Sequence, residues 1–236
     1  MARVLALSDW LLLAVVVLVV PVYSYLRRRG FEAAAVKDRR ALYARSIATL
    51  WLLASVTVFA WWQHDRPLDA LGFALHPGTV TTAAAVVCAM AFGSILVRLR
   101  RLASWAPEKS AAIRESLGRV ALVVPRTKTE LFWFFGVALS AGICEEVLYR
   151  GFFFAVASPF VTVYGAIAAS AAIFGLGHAY QGLRGVLLTA AAGLFLGAFY
   201  FLSGSIVWPM ILHVLIDVNG GVSGYLLFRE RPAPAL

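Results

Sequence analysis

The sequence predicts an all-α fold, a polytopic transmembrane helical bundle of about seven spans, with six to eight compatible with its hydropathy. Three observations lead there. The chain has 236 residues, of which 61% are hydrophobic and 14% charged, against about 45–50% apolar and about 25% charged in an ordinary soluble protein. The apolar residues come in long runs and not in alternation, which excludes a transmembrane β-barrel as well as a soluble or disordered chain. The 21 Lys and Arg outnumber the 12 Asp and Glu, for a net charge of +9, and the bases gather in alternate loops, as membrane topology requires.

Each run long enough to cross a bilayer can be placed in order. The first covers residues 10–26. Its Arg27-Arg28-Arg29 cluster follows the run, whereas in a signal peptide the basic residues precede it, so it reads as a retained anchor. The second, 46–62, ends on Trp61-Trp62, suited to an interfacial belt. The third is 79–97. A basic, partly amphipathic stretch over 98–128 follows, with an interfacial helix expected around 111–124. The later runs are 130–157, 161–178, 185–202 and 206–228. The fourth has a length problem. Its 28 residues would rise about 42 Å as a helix, more than the roughly 30 Å hydrocarbon core, so it must tilt, break or extend beyond the membrane.

With seven spans, 18 of the 21 bases fall on one side: those of the loops after the first and third spans, Arg184, and Arg229 and Arg231 of the tail. Only Arg3 and Arg66 lie opposite, and Arg150 sits inside a run. The N-terminus is therefore expected outside, with the basic loops and C-terminus cytoplasmic. Topology accounts for the basic excess, and no nucleic-acid partner is expected. Cys88 and Cys144 lie in apolar stretches without metal-ligand or redox spacing and read as small buried hydrophobes.

The acids carry more information. Most, Asp9 among them, lie in loops, in tails or just outside a run, and Glu130 opens the fourth span at the interface. Glu145, Glu146 and Asp217 sit inside apolar runs, together with Arg150, His178 and His213. An ionisable side chain at mid-membrane costs about 2.5–3.5 kcal/mol or more, so it usually faces a partner or a cavity. Glu146 and Arg150, four apart, share a helix face and suit a structural ion pair. Glu145 points about 100° away and is the less neutralised carboxylate, fitted to be a general base. Phe174 and His178 are one turn apart, with Gly175 and Gly177 between them to allow close approach of another helix or a substrate. His213 and Asp217 also share a face, where a carboxylate can fix an imidazole tautomer. The set suits water activation, metal ligation or oxyanion stabilisation.

These three motifs, Glu145-Glu146-x-x-x-Arg150, Phe174-x-x-x-His178 and His213-x-x-x-Asp217, in order and in separate apolar segments, resemble the signature of the CAAX protease and bacteriocin-processing (CPBP, or Abi) family. That family consists of intramembrane endopeptidases and includes the type II CAAX prenyl endoprotease. The resemblance covers about residues 130–228. It implies a bundle with a membrane-embedded cavity in which Glu145 and His178 activate water, while His213 and Asp217 supply oxyanion or ligand groups. Glu146, Arg150 and Phe174 support the site. The CAAX branch usually has Asn where this chain has Asp217, and ionised Asp cannot donate to an oxyanion. Asp217 is therefore expected to orient His213 or to help bind a metal.

On this reading residues 1–128 supply N-terminal spans with basic loops, and 129–236 form the catalytic core. The substrate would be a membrane-reachable peptide or protein, and the location a prokaryotic plasma membrane. The family has been described both as metallopeptidases and as glutamate peptidases. A divalent metal such as Zn²⁺ is a candidate cofactor, with Glu145, His178, His213 and Asp217 as candidate ligands. Gly193-x-x-x-Gly197 offers either a homo-oligomer face or packing within the bundle, the second being the stronger expectation. Two alternatives use the same residues. A proton-coupled transporter would show inverted repeats, and the charges instead crowd into the C-terminal half. A non-proteolytic scaffold or immunity protein would not need every motif position filled. One difficulty remains: evenly placed spans would set His178 and His213 at different depths, so a shared site requires uneven helix depths, such as a broken fourth segment or a short sixth one.

Overall fold

The computed structural model describes residues 5–105 and 107–229. Arg3, Glu230 and Arg231 lie outside the described residues, as do the side chains of Arg29, Glu32 and Glu108. Eight helices are formed among the described residues. Helix α1 runs over 7–37, with a π-helical segment Val15–Val19 inside it; α2 is Arg39–Trp62, α3 Thr79–Ala103 and α4 Pro107–Ser116. Helix α5 is Lys128–Ala157, α6 Val163–Gly177, α7 Gly182–Ser203 and α8 Val207–Phe228. By length and composition α2, α3, α5, α7, α8 and the Leu7–Arg28 part of α1 can cross a membrane, and α6 is a shorter apolar helix. The all-α polytopic expectation is borne out.

Several boundaries differ from the hydropathy reading. Helix α1 continues past Arg27 and α3 past Val97, because hydropathy marks only the membrane-buried part of a helix. Arg, Lys, Ala and Leu propagate it well beyond. Asp38 separates α1 from α2, its carboxylate accepting from the backbone N–H of Arg40 and Ala41. The expected interfacial helix over 111–124 is displaced and divided. Helix α4 ends at Ser116, Gly118 adopts φ +53°, and Gly118–Leu122 forms a 3-10 turn. Helix α5 starts with a capping box in which Thr127 Oγ1 accepts from Glu130 N–H and Glu130 accepts from Arg126 and Thr127 N–H. The fourth span neither breaks nor ends early. Its 30 residues stay continuous, and a π-helical segment, Val147–Phe152, absorbs the irregularity.

The bundle packs α6 on α7, α8 on α5, α2 on α5 and α3 against α8. At one end Arg39 donates to the Leu122 carbonyl, Arg114 to Leu227, Arg119 to Arg28 and Arg184 to Ser116, so the basic loops are stitched to one another through backbone oxygens. The opposite end carries a different lock. Asp9, expected outside its run, is 1% exposed. It receives two bonds from Arg66, at 2.9 and 2.8 Å, and one from Ala6 N–H at 2.8 Å. The Arg66 guanidinium also stacks 4.8 Å from the Trp61 ring. Nearby, Gly72 at φ +88° turns the chain so that its carbonyl accepts from Ile206 N–H. A side chain there would meet both the strain of that backbone and the Tyr200 hydroxyl, 2.6 Å from a Cβ.

Candidate active site

The site is built where α5, α6 and α8 meet. Close approach comes first. A Cβ on Gly142 would sit 2.9 Å from the Val214 nitrogen and 3.1 Å from the Met210 oxygen, so α8 lies directly on α5 three residues before Glu145. Gly175 meets the Val186 carbonyl and Ala190 of α7 in the same way. Both glycines of the Gly193/Gly197 pair face α6, Gly193 at Ala171 and Phe174 and Gly197 at Ile167, so this motif packs within the chain.

Glu145 and Glu146 end the regular part of α5, and all six residues of the following π segment are buried. π-Helical turns widen a helix by one residue and recur at functional sites. Here the widened turn still allows the expected pair: Arg150 Nη1 donates to Glu146 Oε1 at 2.9 Å, both side chains fully buried. Arg150 Nη2 donates to the Gly193 carbonyl at 2.9 Å, and its guanidinium lies 4.8 Å from the centre of the Phe174 ring. One arginine therefore ties α5, α6 and α7 together.

His213 joins the two glutamates. Its Nδ1 lies 2.8 Å from Glu146 Oε1, and its Nε2 lies 3.7 Å from Glu145 Oε2 and 3.8 Å from Asp217 Oδ2. A carboxylate already accepting from Arg150 takes a further proton donor best, so Nδ1 donates to Glu146 and Nε2 is the atom turned toward the other two acids. Asp217, expected to orient His213 or to help bind a metal, does face the ring at Nε2, while the shorter bond, to Nδ1, comes from Glu146 on another helix. The Glu145 and Asp217 side chains keep 16% and 31% exposure, unlike Glu146.

His178 caps α6. Its Nδ1 is 2.9 Å from the Phe174 carbonyl, which can only accept, so Nδ1 carries the proton and Nε2 has the free lone pair. The Phe174 ring stands edge-on to both imidazoles, with centroids 5.0 Å from His178 and 5.8 Å from His213. Glu145 and Asp217 are each within electrostatic reach of both histidines. The uneven depth that a shared site requires is found in the fifth apolar helix, not in the two examples expected. The fourth helix is unbroken and the sixth spans 22 residues, but the fifth has only 15, and this short helix ends with His178 beside the other motif residues. All seven motif residues, Glu145, Glu146, Arg150, Phe174, His178, His213 and Asp217, thus meet in one region.

Sequence reasoning missed three supporting groups. Gly193 contributes only a carbonyl, which no motif reveals. Ser170 donates to the Tyr149 carbonyl at 2.9 Å, and the Tyr149 ring packs edge-on to Phe174 at 5.1 Å. Ser170, four residues before Phe174 and eight before His178, does lie on the motif face of α6, and that periodicity was the available signal. Among the described residues no group of three His, Cys, Asp or Glu side chains is set together as a preformed metal site, and the chemistry below is derived from the side chains alone.

Residues 127–219 match the family model described as type II CAAX prenyl endopeptidase Rce1-like. The match begins at the capping threonine of α5 and runs past all three motifs, bearing out the resemblance read from them. No curated protein and no solved structure gives a significant match to the chain.

Proposed function

We propose that this chain, whose residues 127–219 belong to the CAAX-type endopeptidase family, is an intramembrane endopeptidase that uses Glu145 to activate water. The single observation that carries the reading is the double hold on His213: Nδ1 to Glu146, Nε2 facing Glu145 and Asp217. A purely structural ion pair needs no imidazole presenting its second nitrogen to two partly accessible acids.

Glu145 accepts a proton from water as the water oxygen attacks the scissile carbonyl carbon, and His178, with Nε2 free to accept, holds that water from its second side. His213 Nε2–H donates to the oxygen that becomes negative in the tetrahedral intermediate. Collapse breaks the C–N bond, and the proton held by Glu145 passes to the leaving nitrogen. Arg150 and Glu146 keep the His213 ring in register, and Asp217 stabilises the charge on it. The substrate class is a peptide reaching the site from the membrane or from the basic interface. The basic end is the cytoplasmic one, by the excess of Lys and Arg there, in a prokaryotic plasma membrane.

The test is purified full-length protein in lipid nanodiscs, incubated with a panel of apolar and C-terminally lipidated peptides and followed by mass spectrometry. Glu145→Ala should reduce turnover about 10²–10⁴-fold, the usual contribution of a positioned general base. Cleavage that survives Glu145→Ala would overturn the assignment.

A further inference from the structure

A second built feature lies on α3, sharing no residue with the cluster around His213. Gly93, Ser94, Val97, Arg98 and Arg101 form one face of this helix, and Trp105 and Lys109 close over its basic end, enclosing an open cavity of about 550 Å³. The Lys109 ammonium stands 4.1 Å from the Trp105 ring, which fixes where its charge sits. Among the described residues none of Arg98, Arg101 and Lys109 lies within ion-pair distance of a carboxylate. Other bases at this end are used differently: Arg39, Arg114, Arg119 and Arg184 donate to backbone oxygens. The three cations thus line one cavity with no carboxylate partner among the described residues.

The apolar half of the cavity has its own character. Helix α3 has the smallest share of its apolar window buried of the six long spans, 11%. Its Gly93, Ser94 and Val97 are exposed on the same face as the two arginines. A Cβ on Gly93 would meet nothing within 4 Å, so this glycine serves no helix contact and leaves a shallow track leading from the charges toward mid-membrane. Three cations at the interface, an aromatic ring beside them and an apolar track below match a phosphodiester headgroup with its acyl chain. A soluble anion would use only the upper half.

We propose that this cavity binds an anionic glycerophospholipid, its phosphate between Arg98, Arg101 and Lys109 and an acyl chain along Gly93 and Val97. The test is native mass spectrometry of the full chain in detergent, titrated with phosphatidylglycerol, phosphatidylcholine or soluble glycerol phosphate. Phosphatidylglycerol should be retained in preference to phosphatidylcholine. The double substitution Arg98→Gln/Arg101→Gln should weaken its retention about 30-fold, the effect of two surface charges at their usual strength. Lys37→Gln/Arg45→Gln, removing the same charge from exposed positions elsewhere at the basic end, should change it less than about threefold. Gly93→Leu leaves every charge in place and fills the track; it should weaken the lipid about fivefold, by displacing acyl contact. Equal retention in the Arg98/Arg101 variant, equal loss in the Lys37/Arg45 variant, or displacement by glycerol phosphate as effective as by the lipid would each overturn the proposal. Unchanged retention in Gly93→Leu would remove the acyl track and with it the lipid as ligand.

Discussion

Two ion pairs with a buried acid, Asp9–Arg66 and Glu146–Arg150, are built to different rules. Asp9–Arg66 is closed: both Asp9 oxygens accept from Arg66, Ala6 N–H supplies a third donor, and Trp61 covers the guanidinium. Glu146–Arg150 is open. Glu146 Oε1 takes both Arg150 and His213, while Glu146 Oε2 and Arg150 Nε are buried without a hydrogen-bond partner among the described residues. Beyond it lie Glu145 and Asp217, neither locked by a short bond. A buried charge whose bonding capacity is filled can only hold helices together. One that passes its proton preference along to an imidazole with a free nitrogen can also do chemistry. Both acids are buried; the unused capacity is what separates the two pairs.

That contrast can be broken experimentally. The largest effect is expected from Arg150→Met, which strands Glu146 as an uncompensated buried charge. Stability should fall by about 3–5 kcal/mol, read as a lowered unfolding midpoint in detergent, and turnover should be lost with it. Gly142→Ala comes next. The added methyl cannot be accommodated against the Val214 and Met210 backbone, so α8 must move and carry His213 away from Glu145. Turnover should drop by about 10²-fold, as for an ångström-scale misplacement of a reacting group. Arg66→Met should also destabilise, by about 3–5 kcal/mol, yet turnover per folded molecule should stay within about twofold if that pair is structural alone. A matching loss of turnover would erase the distinction between the two pairs. Asp217→Asn should be the mildest. Glu146 already fixes the ring, so the loss should be no more than about tenfold, where removal of an orienting partner typically costs about 10–100-fold. A loss well beyond tenfold in turnover would return the orienting role to Asp217.

Much of this architecture was legible from residue order, because a membrane forces helices to declare themselves as apolar runs. The spans over 185–202 and 206–228 agree with α7 and α8 to within three residues at either end. Helix extension beyond the bilayer was not legible, since Arg27 and Arg101 are as compatible with a helix as with a loop. The candidate site residues were recognisable because Glu, Arg and His are conspicuous among apolar neighbours. Their partners were less so. The four-residue spacing of His213 and Asp217 pointed to a local contact, but the nitrogen that needs an acceptor finds Glu146, 67 residues away. Spacing along one helix cannot report which neighbouring helix presents the better acceptor. Asp9 misled for the same reason: its partner Arg66 lies 57 residues on, at the far end of the second span.

The shortness of α6 has a consequence outside the protein. Fifteen residues rise only about 22 Å, some 8 Å less than the hydrocarbon thickness of an average bilayer. A bilayer that meets the exposed side of this helix at Tyr164 and Leu176 accommodates such a mismatch by thinning or by flanking side chains reaching to the interface. Thinning beside the helix that ends at His178 would bring water nearer the candidate site, so its access would be set jointly by protein and lipid.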